Sequence, residues 1–97
     1  MPKAYAIFTE AITDHAGMGE YGRAAFPTLM SHGARVLAVD NSPEVLEGAW
    51  HGSQTVLLEF DSVEAARAWY DSQEYGSAKL LRQAAATTNA AILHGLE

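Results

Sequence analysis

The chain has 97 residues, 48% of them hydrophobic, and a formal net charge of -6 at pH 7. That size predicts one domain over 1–97 with a single modest core, and that composition argues against disorder. The acidic balance, with Lys3, Arg23, Arg35, Arg67, Lys79 and Arg82 scattered rather than run together, argues against a nucleic-acid partner, and the absence of cysteine excludes disulfides, thiolate metal ligands and a cysteine nucleophile.

Residues 3–11 read as a strand with Tyr5, Ile7 and Thr9 on one face. Asp14, or Thr13 one residue earlier, is a plausible N-cap for a helix running to about Ser31. Its apolar positions Met18, Tyr21, Ala25 and Leu29 recur at helical spacing. Gly17, Gly19 and Gly22 each cost that helix up to about 1 kcal/mol relative to alanine. Pro27 removes a backbone hydrogen bond and predicts a kink; Gly33 is a natural terminator.

Residues 34–40 predict a second strand, followed by the turn Asn41-Ser42-Pro43-Glu44. Glu44–Glu47 can add a short extension strand, and 48–53 read as a loop. Residues 54–60 are the clearest strand in the chain. Asp61 followed by Glu64 has the form of a capping box for a short helix to about Tyr70. Ser72 can cap a further helix to about Ala86, and 89–95 read as the last strand.

This order is the split βαβ arrangement of an α+β, ferredoxin-like βαββαβ fold: a four-stranded antiparallel sheet with the helices on one face. The other face is left bare, and the simplest cover is a second copy of the chain, burying roughly 1,500–3,000 Å² in total. Parity places Val56, Leu58 and Phe60 under the helices and Thr55, Leu57 and Glu59 on the open face. The matching rows of the second strand are Val36/Ala38 and Arg35/Leu37/Val39, so Arg35 and Glu59 share the open face.

The segments Glu44–Gly48, Trp50, Val56–Phe60, Ser62–Ser72, Glu74-Tyr75 and Leu81-Arg82 resemble the DUF1330 family, a domain of unknown function, over nearly the whole chain. The resemblance implies the dimeric α/β-barrel superfamily, in which two sheets face each other across a homodimer. It carries no catalytic residues. The chain departs from the usual family pattern at His15–Met18, Ala34, Val39-Asp40 and Gln73.

The candidate site lies over the open face. Glu59 and His51 are the candidate catalytic groups, and Tyr21, Arg35 and Trp50 the candidate substrate-binding ones. A carboxylate on a covered strand is desolvated, with a raised pKa suited to proton transfer, unless a cation pairs with it. Arg35 can fork onto an anionic group, or serve as that cation. Trp50 and His51 offer a flat wall and a titrating group, or cover the barrel end and meet solvent. Tyr21 lines the mouth of the site or is a core aromatic. His94 shares parity with Ile92, and the sequence leaves open which face the two take; His15 and His32 read as exposed. Trp69, Tyr70 and Tyr75 read as helix-packing aromatics. The four histidines have no metal-ligand spacing, and the three helix glycines are no phosphate loop.

Two functions are therefore expected in competition. One is a cofactor-independent enzyme or binder of a small organic acid or enolisable molecule, with no metal or cofactor. The other is a structural or interaction module whose polar residues serve dimerisation. No basic region leads into a long apolar run and no stretch is apolar enough to span a membrane, which predicts a cytoplasmic protein without a membrane partner.

Overall fold

The computed structural model describes residues 2–96. Strand β1 (Ala4–Ile12) leads into helix α1 (His15–Ser31), then β2 (Arg35–Asp40), β3 (Gln54–Phe60), α2 (Val63–Tyr70), α3 (Gln73–Ala85) and β4 (Ala86–His94). The sheet order is β2-β3-β1-β4, and all three pairings are antiparallel. This is the predicted ferredoxin-like α+β fold. Among the described residues no helix is long and apolar enough to cross a membrane.

Local chemistry sets the boundaries. The Asp14 side chain accepts from the Gly17 amide at 3.1 Å and caps α1, while the Thr13 hydroxyl donates to the Ala85 carbonyl at 3.1 Å. Gly33, at φ 69°, takes the left-handed conformation that turns the chain out of α1 into β2. The helix runs through Pro27 as one element.

The predicted Asp61 cap is corrected by one residue. Ser62 accepts from the Ala65 amide at 3.0 Å, which frees Asp61 for ion pairs. Segment 44–47 forms no strand, and the last strand starts at Ala86, directly at the end of α3.

The core follows strand parity. Ala4, Ala6 and Phe8 of β1 and Leu58 and Phe60 of β3 are buried beneath the helices. Trp69 of α2 sits at the centre, its ring 4.0 Å from Tyr75, 5.4 Å from Phe60 and 6.1 Å from Phe8 between centroids. Its indole N–H donates to Thr28 Oγ1 at 2.9 Å, and that hydroxyl donates on to the Ala25 carbonyl at 2.6 Å. An aromatic with a satisfied polar edge thus joins α1, α2 and the sheet.

The second strand departs from simple alternation. Arg35 pairs with Glu59 and Val36 with Leu58, but Ala38 then pairs with Leu57, leaving Leu37 as an extra residue. This β-bulge reverses the parity that follows. The predicted rows are corrected accordingly: Ala38 lies on the open face, and Val39, opposite Val56, lies on the helical side. Because the bulge falls after Val36, Arg35 and Glu59 still share the open face.

Candidate functional site

The five residues expected to form one site do not come together. Arg35 and Glu59 lie at one end of the open face, where Arg35 Nε donates to Glu59 Oε1 at 2.5 Å and Nη2 donates to Asp61 Oδ1 at 3.0 Å. Lys3 Nζ reaches the same Asp61 oxygen at 2.9 Å. The Arg35 hydrogen bond holds the Glu59 carboxyl below its ordinary value, the opposite of what a lone covered carboxylate would show.

Trp50 and His51 lie at the other end of β3. Trp50 Nε1 donates to Thr55 Oγ1 at 2.8 Å, and His51 Nε2 lies 2.9 Å from the Thr87 carbonyl oxygen. Tyr21 is on the opposite side of the sheet, where its hydroxyl lies 2.8 Å from that of Tyr75. The open-face location is therefore corrected for Tyr21, because α1 carries it beneath the helical layer. The side of His94, open from the sequence, is the helical one, because His94 pairs with Ala4. There it lines a cavity of about 330 Å³ with Arg67 and Tyr70, between α2 and β4.

A larger cavity, about 780 Å³, opens between α1 and the helical face of β1, β2 and β3. Its size is ordinary for a small-molecule site. The walls are mostly apolar, with Phe8, Ile12, Met18, Leu29, Val56 and Trp69 among them, and Glu10, His15, Tyr21, Asn41, Ser53 and Gln54 are its polar members. Sequence makes this space in two ways. Gly19 and Gly22 face it without side chains, and a Cβ built on Gly22 meets nothing within 4 Å. The bulge at Leu37 turns both Val36 and Val39 toward it, where a larger pair would fill it.

One carboxylate faces this apolar space. Glu10 is 1% exposed, and its Oε1 has no hydrogen-bond partner. The cross-strand neighbour on the same side, Thr88, has an unpartnered hydroxyl as well. Burial pushes the Glu10 carboxyl above its ordinary value of 4.5, and the positive charge of Arg82 offsets part of that rise. No ion pair joins Glu10 to Arg82 among the described residues.

Arg82, 4% exposed, instead turns its Nε to the Tyr75 hydroxyl at 3.3 Å. Its guanidinium lies 5.3 Å from the Phe8 ring centroid and 6.0 Å from that of Tyr21. Burial raises the pKa of both tyrosines, so they remain neutral hydroxyls. A buried carboxyl, a guanidinium and two phenols thus gather at one end of an apolar cleft.

The backbone fixes Glu10. The Ser53 amide donates to the Glu10 carbonyl at 3.1 Å. Gly52, at φ 74°, lies so close to this strand that a Cβ there would fall 2.3 Å from the Glu10 carbonyl. Sequence reasoning passed over Glu10 and Arg82, although both carry a signal. Glu10 continues the buried row Ala4, Ala6, Phe8, and Arg82 continues the helical stripe Tyr75, Ala78.

Antiparallel ferredoxin-like topology, with a cleft between the sheet and the first helix, places the chain among small α+β domains. Within that class the chain belongs to the family described as "Domain of unknown function (DUF1330)", whose model matches residues 3–96. No curated protein matches it.

Solved structures share the fold. A Rhodopseudomonas palustris protein of unknown function is 19% identical, with 99% of this chain and 84% of that chain covered and a TM-score of 0.82. SnoaB, a cofactor-independent oxygenase from Streptomyces nogalater, is 8% identical, with 100% and 96% covered and a TM-score of 0.72. A Bacteroides fragilis protein described as dimeric, of unknown function and ferredoxin-like fold, is 13% identical, with 95% of each chain covered and a TM-score of 0.62.

Proposed function

We propose that this protein takes a small, largely apolar organic molecule into the cleft beneath α1 and that Glu10 exchanges a proton with it. The observation that carries this reading is the Glu10 carboxyl bordering an apolar cavity of about 780 Å³, with its Oε1 unpartnered and closed off from water. A raised carboxyl pKa brings a general acid or base closer to neutral pH. Fold similarity to a cofactor-independent oxygenase is consistent with such chemistry but assigns none of it. An enolisable ligand suits this site better than an acid clamped by Arg35, since Arg35 is already held by Glu59 and Asp61.

The test is ligand-dependent thermal shift against a panel of enolisable ketones and phenols, using wild type and Gly22→Leu. Leucine at position 22 projects into open cleft space, so the variant stays folded and loses the response. A response that survives unchanged in Gly22→Leu would place the ligand elsewhere.

The open-face residues fit the competing reading, in which polar groups serve assembly. Arg35, Glu59, Asp61 and Lys3 satisfy one another, while Leu93 and Ala91 stand exposed on the bare face beside the half-buried Ile7 and Leu57. We infer that a second copy covers this face, a reading supported by the dimeric Bacteroides fragilis neighbour. The two readings are compatible, because they use opposite sides of the sheet. Sedimentation should give a dimer at micromolar concentration and a monomer for Leu57→Lys; a wild-type monomer overturns this assembly.

A further inference from the structure

The polar groups behind the cleft form a chain whose direction is fixed by what each can donate. Arg82 has no acceptor, so at 3.3 Å its Nε must donate to the Tyr75 oxygen. Tyr75 is 0% exposed, and its own proton needs an acceptor. The described structure offers it one, the Tyr21 oxygen at 2.8 Å. The reverse order would leave the Tyr75 proton buried with no acceptor, the arrangement that folded proteins avoid. The order is therefore Arg82 to Tyr75 to Tyr21.

That order leaves the Tyr21 proton without an assigned acceptor. Tyr21 lines the cleft that Glu10 also lines, and no hydrogen bond joins the two side chains. The cleft is thus bordered by a carboxyl residue and a phenol residue from two separate elements, Glu10 of β1 and Tyr21 of α1. The phenol is backed by a positive charge, transmitted through hydrogen bonds that polarise one another in the same sense.

Resting on the reading of the cleft as the ligand site, we infer that Tyr21 is the hydrogen-bond donor to an oxygen on which negative charge builds, and that the ligand class is an enolisable carbonyl compound or its phenol-like enol form. The step balances within the site. The Glu10 carboxylate takes a proton from the carbon beside the carbonyl, the C–H electron pair becomes the new C–C π bond, and the carbonyl π pair moves onto oxygen. Tyr21 donates its hydrogen bond to that oxygen, and Glu10 returns the proton to the same or a conjugated carbon. No oxidant or reductant enters. Tyr75 and Arg82 are positioning residues, since they reach the ligand only through Tyr21.

The experiment uses para-nitrophenol, whose ionised form absorbs visible light and mimics an enolate. Glu10→Gln is the host, so that no carboxylate opposes the anion. This variant should bind the phenolate with a shifted absorbance maximum. Adding Tyr21→Phe should weaken binding at least tenfold and abolish the shift. Adding Tyr75→Phe should keep most of the affinity but reduce the shift, a change that a merely structural tyrosine would not produce. Thermal melting of each variant establishes that it is folded. Equal binding and an equal spectrum with and without Tyr21→Phe, together with loss of binding in Glu10→Gln/Gly22→Leu, overturn the donor role and leave the cleft as the ligand site. Para-nitrophenol binding that survives in Glu10→Gln/Gly22→Leu overturns both.

Discussion

Replacing Glu10 by glutamine should make the protein more stable, and increasingly so as pH rises. The wild-type carboxyl is 1% exposed with an unpartnered oxygen, and burial raises its pKa from 4.5. A group whose folded pKa lies above its unfolded one binds more protons in the folded state. Its contribution is fully present below the unfolded value and is lost as pH climbs through the folded value. Between those two values wild-type stability falls by at most about 1.4 kcal/mol per pH unit, one proton's worth. For a domain of this size each kcal/mol moves the melting temperature by about 4–8 °C.

Glutamine keeps the shape and carries no titrating proton. The charged or titratable groups around it are Arg82 and Tyr75 on α3, Tyr21 and His15 on α1, and all remain in the variant. Melting curves of both proteins from pH 4 upward should therefore start close together and separate above about 4.5, with the variant on top. Parallel curves across that range would mean that Glu10 is solvated or paired in solution, and the proton-transfer reading would fall with it.

Gly22→Ala should raise stability by about 0.5–1 kcal/mol, because alanine is the better helix former and its Cβ meets nothing within 4 Å; a denaturant midpoint that falls would show the site is tighter than described. Gly52→Ala should lose about 1–3 kcal/mol, since it combines a left-handed φ of 74° with a Cβ 2.3 Å from the Glu10 carbonyl, and urea unfolding measures it. A variant as stable as wild type would mean that this loop does not press on β1.

The fold was legible because each element carries its own local signature. Alternation marks 54–60, Asp14 and Ser72 do cap the helices they precede, and Gly33 sits where the chain must reverse. The order of those elements then leaves few topologies. The bulge at Leu37 was not legible. Val36, Leu37, Ala38 and Val39 are uniformly apolar, so a one-residue slip changes the face of each without changing the pattern. That slip decides whether Val39 borders the cleft. The site was half legible. The reasoning that put Tyr5, Ile7 and Thr9 on one face also puts Glu10 in the buried row, yet an acid near a strand end ordinarily marks the exit to solvent. The strand expected over 3–11 holds Glu10 one residue from its end, and β1 runs on to Ile12. Glu59 drew attention because it sits within the clearest strand, but Arg35 neutralises it.

The distribution of stability costs points the same way. On the side of Trp69, rings stack, the indole N–H is satisfied and helix caps are filled. Along the α1 wall of the cleft, which Trp69 borders from the other side, the opposite holds. α1 carries Gly19 and Gly22 with no backbone turn that requires them, at about 1 kcal/mol each, and an interior Pro27 without an amide to donate. A buried carboxyl oxygen goes unpaired, a further cost of about 1–3 kcal/mol, and the space beside it is unfilled. Against a net stability of roughly 5–15 kcal/mol these are large sums. Sequences selected for packing alone remove such costs readily: leucine at 22 would occupy part of the cavity, and an apolar residue at 10 would remove the orphan. Costs scattered at random would call for no explanation. Gly19, Gly22 and the orphaned Glu10 carboxyl border one cleft that Tyr21 also lines, and that concentration of costs supports the proposed ligand site.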